Sequence, residues 1–204
     1  MRRMPLLISV FLPLLLAMAP SEGAALEPRA WFLEQGYVPP AGDRIVACHG
    51  YGCSRRAVLA MDAPLLGRAS ALLRAARGSP AQERRALGEV VRLYTSYLAR
   101  RLGSPPDVPR SPPSLSGVGG QMDCVDESAN TTSLLLVLQD RGLLAYHEVE
   151  RPASRGLFID GRYPHTTAVI AEKGNRLEWA VDPWARAPGE KPDILPLSRW
   201  RQDS

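Results

Sequence analysis

The sequence predicts an α+β chain, and three observations carry that prediction. Apolar residues recur at three- and four-residue spacings across 54–76 and 80–102. A further helical run over 124–141 ends at Gly142. Beyond it come short runs of strand-forming residues separated by turn signals, so helices precede a sheet instead of alternating with its strands. The 204 residues leave room for one ordinary domain with a small helical appendage. A hydrophobic share of 45% with 23% charged residues argues against a disordered chain.

The formal charge of +4 invites a nucleic-acid reading, which the distribution of the charges argues against. The 25 basic residues are scattered, only Lys173 and Lys191 are lysine, and no stretch interleaves them with aromatics. No nucleic-acid partner is expected.

The first 25 residues read as a signal peptide. Arg2 and Arg3 precede an apolar run from Pro5 to Ala19, short for a bilayer span, and Gly23, Ala24 and Ala25 suit cleavage before Leu26. The expected location is periplasmic or secreted, the alternative being an uncleaved anchor in the inner membrane. No other membrane association is expected. Residues 27–40 read as an extended lead-in whose Trp31, Phe32 and Tyr37 pack on the body, and 45–48 as a short strand. In 54–76 a helix is expected, broken or restarted at Pro64. In 80–102, Leu87, Val90, Val91, Tyr94 and Leu98 share a face closed by Gly103. Prolines 105, 106, 109, 112 and 113 and glycines 117, 119 and 120 make 104–120 a linker or a wrapped loop. Strands are expected over 146–150, 155–159, 165–172 and 177–182, with Gly174 and Asn175 turning the last two into a hairpin. The tail from Pro183 reads as a proline-rich surface segment containing Trp200.

Export changes how three cysteines are read, because disulfides persist outside the cytoplasm. Cys48 and Cys53 flank a turn containing Gly50 and Gly52, which suits a short disulfide. A metal site using His49 is the other reading, and it lacks a convincing fourth ligand. Cys124 is left without a partner, as a small core cysteine or a reactive thiol. Asp123 is a good N-cap for the helix that begins there, with Asp126 resembling a capping-box acid. The polar start of that helix suggests a wet cavity or surface. A thiol in the first turn meets unpaired N–H groups and the positive end of the dipole, which lower its pKa and can receive an oxyanion. Gln121 is placed to add a side-chain donor.

A thiol nucleophile needs a base. His49 sits in the cysteine turn, and His147 lies mid-strand with no orienting acid after it, as a structural histidine would. His165 opens a strand, and the hairpin brings it near Asp182 at the end of the next. A carboxylate there fixes the imidazole tautomer, although Asp182-Pro183 also suits a plain strand end.

Cys124-Val-Asp-Glu-Ser-Ala, the helix end Leu-Gln-Asp-Arg-Gly142-Leu-Leu-Ala-Tyr, His165-Thr-Thr-Ala-Val and Trp179-Ala-Val-Asp-Pro-Trp184 resemble the core of transglutaminase-like proteins of the papain-like superfamily. The resemblance covers about a third of the chain, from Gln121 to about Trp184. It implies a cysteine-bearing helix packed on an antiparallel sheet, with Cys124 as nucleophile, His165 as base and Asp182 as orienter. Thr167 stands where the family often carries an aromatic. The expected layout is a signal peptide (1–25), an N-terminal helical region (26–103), a linker (104–120) and a catalytic core (121–204). The expected activity is thiol-dependent amide hydrolysis or acyl transfer on a protein or peptidoglycan peptide of the cell envelope. The alternative is a catalytically silent module with a binding or structural role. No cofactor or metal is expected.

Overall fold

The computed structural model describes residues 23–103, 106–156 and 164–202. Residues 1–22 of the expected signal segment lie outside them. Among the described residues the chain forms five α-helices and two antiparallel sheets.

Helix α1 (Gly23–Glu34) replaces the extended lead-in expected over 27–40. Its second half is rich in good helix formers, and packing on strand β3 (His147–Arg155) outweighs the presence of Pro28. Trp31 and Phe32 are buried, and Tyr37 meets Trp31 edge-on at 5.7 Å.

Strand β1 (Arg44–His49) pairs antiparallel with β2 (Arg55–Ala60), from Arg44 opposite Ala60 to His49 opposite Arg55. Strand β2 corrects the expectation of helix from residue 54. The intervening turn returns Arg55 alongside β1, and cross-strand pairing overrides the weak helical spacing of Val58 and Met61. Helix begins at α2 (Ala63–Ala75), where the Asp62 carboxylate accepts the Leu65 N–H at 2.9 Å and Pro64 occupies the first turn. Helix α3 (Pro80–Leu102) matches its expected limits, and its face of Leu87, Val90, Val91, Tyr94 and Leu98 is buried. Gly103 ends it at φ 64°, the left-handed conformation that a C-terminal glycine supplies.

Residues 106–120 wrap back onto the first hairpin and hold one short 3₁₀ turn, Pro113–Leu115. Gly117 N–H donates to Gly50 O at 3.0 Å, and the Tyr51 hydroxyl donates to Pro112 O at 2.6 Å.

Helix α4 (Cys124–Asp140) lies against β1 and against β3 and β4 (His165–Glu172). Asn130 joins it to β1: its amide accepts the Cys48 N–H and donates to the Cys48 carbonyl, both at 2.8 Å. A side chain here supplies the hydrogen bonds that a neighbouring strand would. Leu134 to Leu138 are fully buried in the main core. The polar residues from Asp126 to Thr132 are buried too, where an exposed or wet face was expected.

The second sheet is a meander in the order β3-β4-β5-β6, with β5 Glu178–Asp182 and β6 Asp193–Pro196. One strand, β3, stands where two were expected, because the register shifts between Glu150 and Ala153. Pro152, which has no N–H for the ladder, falls in that bulge. Residues 157–159 of the second expected strand lie outside the described residues. The tail corrects a further expectation. Strand β6 pairs with β5, with Asp182 opposite Asp193. Helix α5 (Leu197–Trp200) then folds back, burying Trp200 beside Val169 and Ala180 instead of exposing it. No described helix is long and apolar enough to cross a membrane.

Candidate active site

The start of α4 is held by two carboxylates and an unusual turn. Asp123 accepts the Asp126 N–H at 2.9 Å and Asp126 accepts the Asp123 N–H at 3.4 Å, a reciprocal cap. Four successive residues, Gly50 to Cys53, have positive φ, and Tyr51 (72°) and Cys53 (57°) carry the steric cost of that conformation. Their N–H groups thereby converge on the helix: Tyr51 and Cys53 donate to Asp126 at 2.7 and 2.6 Å, and Gly52 donates to Asp123 at 3.0 Å. Cys48 and Cys53 close the turn as a disulfide. Both sulfurs are thus taken, and the His49 ring accepts the Gly120 N–H at 3.2 Å, so the alternative metal reading of these residues is not the arrangement found.

Carboxyls crowd this helix end. Burial pushes Asp126 up to about 7, the Asp123 charge adding to it, despite the N–H groups that favour its anion. Burial pushes Asp107 up to about 6 and drives Glu127 well above the usual range.

Cys124 opens α4 and is 8% exposed. Its Sγ lies 4.0 Å from Pro164 O, a weak donor contact, and the Thr166 N–H also faces the sulfur. The thiol therefore rests against the backbone on both sides of His165. Burial pushes its pKa up to about 11, and the Asp123 and Asp182 charges add to that. The N–H groups of Thr166 and of Cys124 itself pull the other way and lose. This corrects the expectation of a lowered thiol pKa, because desolvation outweighs the helix end.

His165 Nε2 lies 2.6 Å from Asp182 Oδ2. Since the carboxylate accepts there, neutral His165 carries its proton on Nε2 and leaves a lone pair on Nδ1. Nδ1 is buried and has no hydrogen-bond partner among the described residues, the thiol included. Asp182 also accepts the Trp200 indole N–H at 2.7 Å and the Trp184 backbone N–H at 3.2 Å. The Trp184 ring lies 4.5 Å from that of His165.

Gln121 is buried and engaged elsewhere. Its amide donates to Pro106 O at 3.0 Å and accepts the Val108 N–H at 3.2 Å, clamping the wrapped loop. A cavity of about 320 Å³ opens onto Cys124 between Tyr51, Ser111, Pro113, Asp123, Pro164 and Trp184. A larger one, about 650 Å³, lies between α3 and the β5–β6 region, with Arg84, Arg85, Trp179 and Lys191 in its walls and neither thiol nor imidazole.

Sequence reasoning missed Trp200, whose contact with Asp182 depends on the unforeseen β6–α5 return. It also missed Glu83. This fully buried carboxylate of α3 lies 2.8 Å from His147 Nδ1 and accepts the backbone N–H groups of Ala145, Tyr146 and His147. The only available signal was an acid on the apolar side of α3. Comparison of the chain with models of known protein families, with curated proteins and with solved structures finds no match.

Proposed function

We propose that the protein is an exported thiol-dependent amide hydrolase or acyltransferase, acting through Cys124, His165 and Asp182 on a protein or peptidoglycan peptide. The observation that carries this reading is the open, buried Nδ1 of His165. Its other nitrogen is held by Asp182, and the thiol lies against the backbone that flanks it. A cysteine at a helix start, with its base and acid on adjacent antiparallel strands, also supports a transglutaminase-like core. The bonded Cys48–Cys53 pair supports an oxidising compartment such as the periplasm.

The chemistry follows from the raised thiol pKa. An isolated thiolate is disfavoured in this desolvated space, so the proton leaves sulfur as attack occurs. His165 Nδ1 takes it while sulfur bonds to the amide carbonyl carbon. Asp182 stabilises the imidazolium through Nε2–H, and first-turn N–H groups of α4 receive the oxyanion. The imidazolium then protonates the departing amine, leaving an acyl-enzyme. Water or a second amine, deprotonated by the same nitrogen, attacks the thioester and restores the thiol. Hydrolysis is the favoured outcome, since water is always present.

Alkylation by iodoacetamide, located on Cys124 by mass spectrometry, tests the reading. The wild-type rate varies little between about pH 7.5 and 9, because His165 serves as base. In His165→Ala it rises about tenfold per pH unit, as expected of a free-thiolate route, and at pH 7.5 it is about 100-fold below wild type. Identical profiles overturn the proposal. The low exposure of Cys124 and its missing hydrogen bond to Nδ1 favour a second reading, a catalytically silent module with a binding or structural role in the envelope. Identical profiles would select it.

A further inference from the structure

We infer that Trp200 is a positioning residue of this site, its indole N–H fixing the Asp182 carboxylate so that Oδ2 faces His165 Nε2. The inference rests on the triad reading above.

Among the described residues, Oδ2 of Asp182 receives two donors, His165 Nε2 at 2.6 Å and Trp200 Nε1 at 2.7 Å, while Oδ1 receives the Trp184 backbone N–H at 3.2 Å. The Trp184 bond is local, two residues along the chain, and holds one oxygen to its own turn. It leaves rotation of the carboxylate plane unopposed. The Trp200 bond comes from outside that turn and sets the plane in which Oδ2 meets the imidazole. Hydrogen bonds to a charged acceptor are the strong ones, and this one is buried.

Trp200 is itself held firmly. The Arg155 guanidinium lies over its ring, 4.4 Å from the centroid, and donates to the Trp200 carbonyl. Leu197 anchors α5 beside Val169 and Ala180. The cation over the indole face draws electron density from the ring, which strengthens its N–H as a donor. A chain of contacts therefore runs from β3 through α5 to the end of β5 and on to His165. Packing alone does not require the nitrogen, because a phenylalanine ring fills much of the same apolar space.

The test uses the full chain and separates the hydrogen bond from the packing. Trp200→Phe slows iodoacetamide modification of Cys124 at pH 7.5 about tenfold. It also moves the downfield proton resonance expected for His165 Nε2–H, followed in protein labelled with ¹⁵N-histidine. Asp182→Asn slows the reaction more, and adding Trp200→Phe to it costs nothing further. Two results overturn the inference: wild-type alkylation in Trp200→Phe with the resonance in place, or a loss that multiplies independently onto that of Asp182→Asn. If Trp200→Phe does not fold, Asp182→Asn still reports through the four tryptophan indole N–H signals. One of them moves upfield if the bond exists, and none moving overturns it. His165→Ala, run alongside, tells the failures apart. Alkylation indifferent to His165→Ala overturns the triad reading, and this inference with it. Alkylation sensitive to His165→Ala and indifferent to Trp200→Phe overturns the role of Trp200 alone.

Discussion

Two buried histidines in this protein are each paired with a carboxylate, and they are put to different uses. His147 lies 2.8 Å from Glu83 through Nδ1, and its Nε2 accepts from Arg84 at 3.1 Å, so both nitrogens are satisfied. Arg84 in turn reaches Glu172, closing the network. His165 meets Asp182 through Nε2, and its Nδ1 has no hydrogen-bond partner among the described residues. A histidine–acid pair is therefore no mark of chemistry in itself. The mark is the nitrogen left over. Glu83 accepts from three backbone N–H groups and ties α3 to the start of β3, whereas the described partners of Asp182 are His165 and two tryptophans whose rings pack at a tilt against its imidazole.

The comparison predicts opposite phenotypes. Asp182→Asn lowers Cys124 alkylation at pH 7.5 by about 100-fold while the fold survives, as circular dichroism and a thermal melt would show. Equal reactivity in this variant would erase the distinction between the pairs. Glu83→Gln does the reverse. It places an NH₂ against buried N–H donors and costs about 3 kcal/mol in urea denaturation, with alkylation of the folded protein unchanged. His147→Gln, which removes one ring from that network, costs about 1–2 kcal/mol and leaves the alkylation profile alone.

Stability against pH sharpens the contrast further. Burial pushes Glu83 up, but its hydrogen bonds with His147, Ala145 and Tyr146 outweigh that and hold it below its ordinary value. Its contribution is thus present above the ordinary glutamate range of about 4.3 and lost as pH falls through the folded value. Asp126, raised to about 7 in the fold, has the opposite sign. Its protonated form is favoured in the native state, so stability falls as pH rises from about 4 through that value. Urea titrations should show Glu83→Gln flattening the acid side and Asp126→Asn flattening the range between pH 4 and 7.

Much of this was legible from local chemistry. Gly103 closes α3, Asp123 caps α4, and Gly142 ends it, because caps are short-range rules. The hairpin that brings His165 toward Asp182 was likewise readable, its turn residues lying between two strand-like runs. Strand β2 was not. Arg55–Ala60 has no strong pattern of its own and becomes a strand through its pairing with β1. Helix α1 was not legible either, because it carries Pro28 and is held by its packing on β3. The polar turns of α4 were misread for the same kind of reason. Asn130 and Asp126 are polar because they serve distant backbone groups of β1 and its turn, which sequence spacing does not reveal. The thiol's raised pKa follows from that burial and was equally hidden.

The disulfide turn has an entropic consequence. Its covalent link spans only five positions, whereas the three hydrogen bonds it presents to Asp123 and Asp126 span 71 to 75. A short closed ring restricts Gly50 to Cys53 at small cost in chain freedom, and the left-handed conformers are then already selected when the distant carboxylates dock. One local bond thus lowers the ordering cost of three remote ones, and the register of the helix that begins at Cys124 is inherited from a cross-link more than 70 residues upstream.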